Sequence, residues 1–158
     1  MRVNVGETLL EPNNDLCADA IRQLAEALDV IANPQSCVAG DILFRQGEPG
    51  TGVRVLRQGK VCLYACSPNG HTRLFYRNVG AGYVLGLPAL FSGQPYSLTA
   101  EALEDCVFGF VDRGRALELI RERLDLCLEA AKLLAHEVRQ LRELQAIVVG
   151  EPTTNAAP

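Results

Sequence analysis

Long apolar runs are missing from this chain of 158 residues. Nothing approaches the ~18 consecutive apolar residues that a membrane-spanning helix needs. The N-terminus also lacks the charged-then-apolar order of a secretory signal. A cytoplasmic protein with no membrane partner is the expectation. Excess positive charge is missing too. A formal net charge of −4 argues against direct nucleic-acid binding, because phosphate contacts need a basic surface. Paired cysteine spacings are absent. Cys17, Cys37, Cys62, Cys66, Cys106 and Cys127 include no C-x-x-C, which removes the usual zinc and thioredoxin-type patterns. Reduced, buried thiols are expected. Cys62 and Cys66, four apart, would share one strand face, so a metal or redox role stays open beside burial. Signatures of catalysis are missing as well: there is no G-x-S-x-G and no H-E-x-x-H. The two histidines do not fill the gap. His71 falls in a turn signal, and His136 lies off the apolar seam of a helix, where it reads as solvated. "GEPGTG" has the composition of a phosphate loop without the Lys-Ser or Lys-Thr that should follow it. The chain is therefore expected not to be an enzyme and to hold no metal or cofactor.

What remains is ordinary in bulk: 48% hydrophobic and 22% charged, with enough length for one real core. Residues 1–13 read as a loose arm. Residues 15–32 place Leu16, Ala20, Leu24, Leu28 and Ile31 on one helical stripe, with Asn14 or Asp15 as cap and Asn33-Pro34 as the stop. From 36 to 111 short β-rich runs alternate with glycine turns, and "SPNGH" is a hairpin signal. The expected fold is mainly β, an antiparallel roll of the double-stranded jelly-roll type with flanking helices. From Asp112, a candidate N-cap for a helix carrying Ala116, Leu117 and Ile120, the pattern is helical to about Val149. Within it Leu124, Cys127, Ala131, Leu134, Val138, Leu141 and Val148 keep an alternating 3-4 spacing, with Gln145 the one polar member, which is a coiled-coil seam. A helix of about 25 residues is roughly 37 Å long at 1.5 Å per residue, more than a small roll can cover. Residues 122–149 are accordingly expected to pair two copies of the chain. The tail 150–158 reads as disordered.

The stretch "VLGLPALFSGQPYSLTAEAL", residues 84–103, has the layout of a loop that wraps an anion. Gly86 precedes a segment that can open as one helical turn, with Pro88 near its start, where a missing N–H is no loss. Yet no Lys or Arg occurs between Arg77 and Arg113. The candidate ligand-contacting residues are Gly86, Leu87, Pro88, Ala89, Tyr96, Ser97 and Thr99.

These residues carry a resemblance. "GDILFRQGEPGTGVRVLRQGKVCLY", with the order Gly40, Phe44, Gly47, Gly59, Val61, Gly70, Gly80 or Gly82, and Gly86, resembles the cyclic-nucleotide-binding domain, and within it the effector domains of CRP/FNR regulators. The resemblance covers residues 15 to 149. It implies a β-roll, a long helix that pairs two subunits, and, in that family, a following helix-turn-helix that reads DNA. It also implies a loop with Gly-Glu for the ribose hydroxyl and a later Arg for the cyclic phosphate. Position by position, Gly86 matches the glycine, Leu87 stands where the Glu is expected, and Tyr96 stands where the Arg is expected. Ser97 and Thr99 match small and hydroxyl positions. Relatives with haem use a His or Cys ligand, and an FNR-type iron–sulfur cluster needs close-set N-terminal cysteines, which Cys17 alone does not supply.

A charge-assisted hydrogen bond contributes about 1.5–3 kcal/mol, and a buried anion without its partner costs about 3–5 kcal/mol. A hollow without the arginine should bind a cyclic phosphate roughly tenfold to a thousandfold more weakly. Arg73 and Arg77, on a neighbouring strand, are candidates to reach in. Too few residues follow the long helix for a helix-turn-helix, so direct DNA reading is not expected. The reading is a dimeric sensor domain of CRP/FNR type, with weak or absent cyclic-nucleotide binding. A small or cyclic-nucleotide-like ligand and a protein partner both stay open. The alternatives are an interaction module with a vestigial hollow, or a regulator that acts through a full-length partner.

Overall fold

The computed structural model describes residues 14–156, with side chains described for 22–139, 142 and 143. The expected arm at 1–13, the side chains of Leu16, Ala20, Leu141 and Val148, and the caps Asn14 and Asp15 lie outside that description. Helix α1 (Asn14–Val30) leads into strands β1 (Asn33–Cys37), β2 (Ile42–Phe44), β3 (Gly52–Gln58), β4 (Val61–Cys66), β5 (Arg73–Val79) and β6 (Val84–Leu85). A short helix α2 (Leu87–Ser92), strands β7 (Thr99–Ala102) and β8 (Cys106–Asp112), and helices α3 (Arg113–Glu122) and α4 (Leu124–Ala156) follow. Two four-stranded antiparallel sheets, ordered β1-β8-β3-β6 and β2-β7-β4-β5, face one another as the expected roll.

The alternation in β3 explains how the chain builds two cores. Val53 and Val55 point to one side, where Leu24 and Leu28 of α1, Ile120 of α3, and Leu126, Ala130 and Leu133 of α4 cover the sheet. Leu56 points to the other side, into the space between the sheets, with Phe44, Leu63, Val79, Leu85 and Phe108. A strand buried on both faces sacrifices the polar alternation of an exposed sheet. Its N-terminal end is crowded: a Cβ on Gly52 would lie 2.3 Å from the Val111 carbonyl oxygen and 2.7 Å from Phe110 Cζ.

Local signals act as their chemistry dictates. The hairpin after β4 closes with Ser67 N–H donating to the Thr72 carbonyl and Gly70 N–H to the Ser67 carbonyl. Asn69 Oδ1 accepts from the His71 N–H at 2.8 Å, an Asx-type turn. Asp112 caps α3, its carboxylate accepting from Arg115 N–H at 3.0 Å. Two bulges re-aim side chains. In β3 the register steps from Leu56 to Gln58 against consecutive residues of β8. Arg57 is the extra residue, and its Nε meets Asp29 of α1 at 2.8 Å. In β5, Phe75 and Arg77 oppose consecutive residues of β4, leaving Tyr76 as the extra residue.

Three expectations need correction. Helix α1 stops at Val30, and Ile31 and Ala32 bond back to Leu28 and Asp29 as a final turn. The helix expected to end near Val149 continues to Ala156 in place of a disordered tail. Extending an existing helix fixes one residue per added bond, with no new nucleus to form. His136, expected in solvent, is half-buried beside Leu87 and Leu133.

Helix α4 has two apolar sides. Leu126, Ala130 and Leu133 are buried against the roll. The seam residues Leu124, Cys127, Ala131 and Val138 are exposed, as is Leu128, while Leu134 is half-buried and packs on the core.

Candidate functional site

The loop after β6 starts at Gly86, whose φ of +96° is the left-handed region where glycine has no Cβ penalty. Helix α2 follows with its proline in the first turn, as the sequence implies, and Gly93, also left-handed, ends it. The chain then returns through Tyr96 into β7.

Tyr96 turns inward. Its hydroxyl donates to the Gly52 carbonyl at 3.0 Å, and its ring stacks on Phe44 with centroids 4.0 Å apart. Such a pair contributes about 0.5–1.5 kcal/mol beyond area burial. The cavity left under the loop is about 30 Å³, lined by Gly86, Pro88, Ala89, Tyr96 and Ser97 of the loop, by Phe44, Tyr76, Tyr83 and Glu137 from elsewhere, and by four aliphatic side chains of the roll and its loops. Ligand pockets run to roughly 300–1,000 Å³, so the hollow is closed by the chain's own side chains.

Two expected residues do not reach it. Leu87, 2% exposed, faces the apolar cluster under α1 and α4. Thr99 is buried and accepts from the Gln46 N–H at 3.0 Å, holding the turn after β2 to β7. Neither candidate cation enters either. Arg73 lies over the Tyr64 ring and 3.5 Å from Glu101. Arg77 lies over Tyr76 and Tyr83 and borders a wide groove of about 530 Å³ between α1 and the β5–β6 turn.

Besides the aliphatic Leu63, Val84, Leu85 and Leu98, three aromatic residues and one acid of the hollow were not picked out from the sequence as its lining. Phe44 sits 52 positions before Tyr96. Tyr76 is aimed by the β5 bulge, and its buried hydroxyl has no hydrogen-bond partner. Tyr83 donates to Glu137 of α4, the carboxylate that joins the long helix to the roll. Burial pushes the Glu137 carboxyl up, against the pull of the Tyr83 hydroxyl and the Arg77 guanidinium. Burial, and then Glu137, push the Tyr83 phenol well up. Arg54, which does not line the hollow, shares the inner face of β3 with Leu56. Its guanidinium lies over Phe44, Phe108 and Phe110, with Nε and Nη1 buried and unpaired.

The Glu137 shift has a measurable consequence. Folded, the acid holds its proton to higher pH than it does unfolded, so the unfolded chain is the first to release it as pH rises. Stability is full below the ordinary glutamate range and falls as pH climbs from there through the raised folded value. Melting curves of the chain and of its Glu137→Gln variant should therefore diverge in that window, with the parent losing more. Parallel curves would show that Glu137 titrates as if in water.

Residues 34–123 match the family described as the cyclic nucleotide-binding domain. The chain belongs to that family. No curated protein matches it in sequence. Among solved structures, this cyclic nucleotide-binding domain is similar to the catabolite activator protein of Thermus thermophilus, at 22% identity and a TM-score of 0.68, covering 82% of this chain and 59% of that one. It is similar to a transcriptional regulator from Thermotoga maritima, at 18% identity and TM-score 0.67, covering 80% and 98%. It is also similar to the N-terminal domain of a transcriptional regulator from Streptomyces coelicolor, at 24% and 0.58, covering 77% and 83%. At these identities the likeness is one of fold. No helix among the described residues is long and apolar enough to cross a membrane, and no group of three or more His, Cys, Asp or Glu among them is placed to hold a metal ion.

Proposed function

We propose that the chain is a signalling module of CRP/FNR type, not an enzyme, and that it works as a homodimer paired through α4. In this reading the hollow under the loop does not grip a cyclic phosphate. One observation carries it: at the position where the resemblance expects the phosphate-binding arginine, Tyr96 is tied to Gly52 and stacked on Phe44, and no cation lines the cavity. Glu137, the one acidic residue of the lining, offers an anion no positive partner. The exposed apolar side of α4 supports pairing. The free thiols of Cys37, Cys62, Cys66, Cys106 and Cys127 suit a cytoplasmic setting. An occupant of the hollow that displaced Tyr96 or engaged Glu137 would change how α4 sits on the roll, and so how two copies meet. It can do so only to the extent that it binds one arrangement better than the other.

Calorimetry with cyclic AMP and cyclic GMP, up to millimolar concentration, tests the reading. Neither should bind tighter than roughly 100 μM, near −5.5 kcal/mol. Micromolar affinity for either would overturn it. A second reading, a protein-association module whose hollow is permanently filled, draws on the same Phe44–Tyr96 stack. It predicts that no small molecule changes the tyrosine environment at all.

A further inference from the structure

The lining of the closed hollow has a chemistry of its own. The chain has four tyrosines and five phenylalanines, yet Tyr76, Tyr83, Tyr96 and Phe44 all border this one cavity. They come from β5, the turn before β6, the loop after α2, and β2, so no local repeat accounts for their meeting. Glu137 of α4 lines the same space and is held in place by the Tyr83 hydroxyl. The Tyr76 hydroxyl, delivered by the bulge in β5, is buried with no partner. Arg54 lies over Phe44, and Arg77 over Tyr76 and Tyr83, but neither lines the cavity, whose remaining walls are mostly aliphatic. Aromatic rings that already face guanidinium groups, with one carboxylate beside them, form a lining that suits a positively charged nitrogen. Ring quadrupoles favour a cation over their faces, most strongly where water is excluded, and the carboxylate supplies the counter-charge.

We propose that the hollow is an aromatic cage for an alkylated ammonium group of a small molecule. Glu137 supplies the counter-charge, and Tyr76, Tyr83, Tyr96 and Phe44 form the walls. The inference rests on the reading above, that the hollow has left phosphate recognition. It deepens that reading by naming the class of ligand. At about 30 Å³ the closed cavity is too small for a methylated ammonium. Entry therefore requires the Phe44–Tyr96 stack to part, with the Tyr96 ring moving from lid to wall. Arg77 marks the limit of the cage: its guanidinium lies over Tyr76 and Tyr83 and borders both the neighbouring groove and the small space on the far side of Glu137, but it does not line the cavity itself. The side facing the cavity is left to carboxylate and phenol.

The chain contains no tryptophan, so tyrosine fluorescence reports directly on the cage, which holds three of its four tyrosines. Choline and tetramethylammonium, titrated into the full chain at constant ionic strength, are expected to give a saturable change with half-saturation in the millimolar range or below. Sodium chloride and dimethylbutanol, the neutral carbon isostere of choline, should give none. Glu137→Gln should weaken choline at least tenfold, and Tyr76→Leu, which removes a wall, should do likewise. Tyr76→Phe keeps the ring and should bind choline within about threefold of the parent. Circular dichroism establishes that each variant is folded, and Tyr76→Phe, the mildest change, keeps the test decisive if the others are not. Equal responses to choline and to dimethylbutanol, undiminished binding in Glu137→Gln, or silence toward both ammonium probes would each overturn the cage. Calorimetry separates the two claims. Silence toward ammonium with no cyclic-nucleotide binding refutes the cage alone, whereas micromolar cyclic AMP binding refutes the reading beneath it.

Discussion

Leu87→Glu, the substitution that would install the acidic residue expected from the family resemblance, should destabilise the chain by about 4 kcal/mol rather than prepare it for a nucleotide. Leu87 is 2% exposed and packs in the cluster formed by α1, β3, α2, α3 and α4. Removing a buried leucine side chain alone costs about 2–5 kcal/mol. The incoming carboxylate would be buried among Leu133, Val84 and His136, with Glu137 bordering the same small cavity. Arg77 is the guanidinium on that side, and it would have to serve two carboxylates at once. A buried acid escapes part of its cost by staying protonated, which is why the figure lies inside the range for lost packing rather than far above it. A domain of this size holds about 5–15 kcal/mol in total. At about 2–4 °C per kcal/mol, the loss should lower the melting temperature by about 10 °C or more. A melting temperature within about 2 °C of the parent would show that Leu87 does not belong to the apolar cluster.

The second large effect concerns assembly. Leu124, Leu128 and Val138 are 75%, 59% and 48% exposed on the side of α4 turned from the roll, beside Cys127 and Ala131. Apolar side chains repeated along one helix face, beyond what the roll can cover, belong against a second helix. In sedimentation equilibrium the parent should behave as twice its 17.1 kDa mass. The double variant Leu128→Asp, Val138→Asp should behave as a single chain, its melting temperature at high dilution near that of the dissociated parent. Leu134 is the wrong place for this test, because it also packs on the core. A charge there would confound assembly with folding. Were the double variant to sediment with the parent, pairing through this face would be refuted.

Much of the fold could be read from local chemistry. Asn69-Gly70 makes its turn because Asn69 can bond the following backbone and Gly70 takes a positive φ. Asp112 starts α3 because its carboxylate reaches the Arg115 N–H. These are interactions within three residues, and the sequence displays them directly. The hollow is different. Gly86, Pro88, Ala89, Tyr96 and Ser97 lie in one loop and were legible as a group, but the carboxylate and three of the rings come from four other places in the chain. Tyr83 and Glu137 are 54 positions apart, and Tyr76 enters only because β5 carries an extra residue. Leu87 was misplaced for a related reason. In a one-turn helix adjacent positions point about 100° apart, onto different sides, and nothing local says which side meets the long helix. Arg54 was hidden by the character of its strand, since a run buried on both faces gives no polar side by which to orient it.

β3 is the partition between two rooms of packed side chains: Val53 and Val55 furnish one, Leu56 and Arg54 the other. Its first residue, Gly52, is pinned by the Val111 carbonyl and Phe110 on one side, and its own carbonyl holds the Tyr96 latch. To unlatch Tyr96 is therefore to slacken the end of the partition itself. A rearrangement in the inner room would meet the helices furnishing the outer one through this single strand, with no lever or hinge between them.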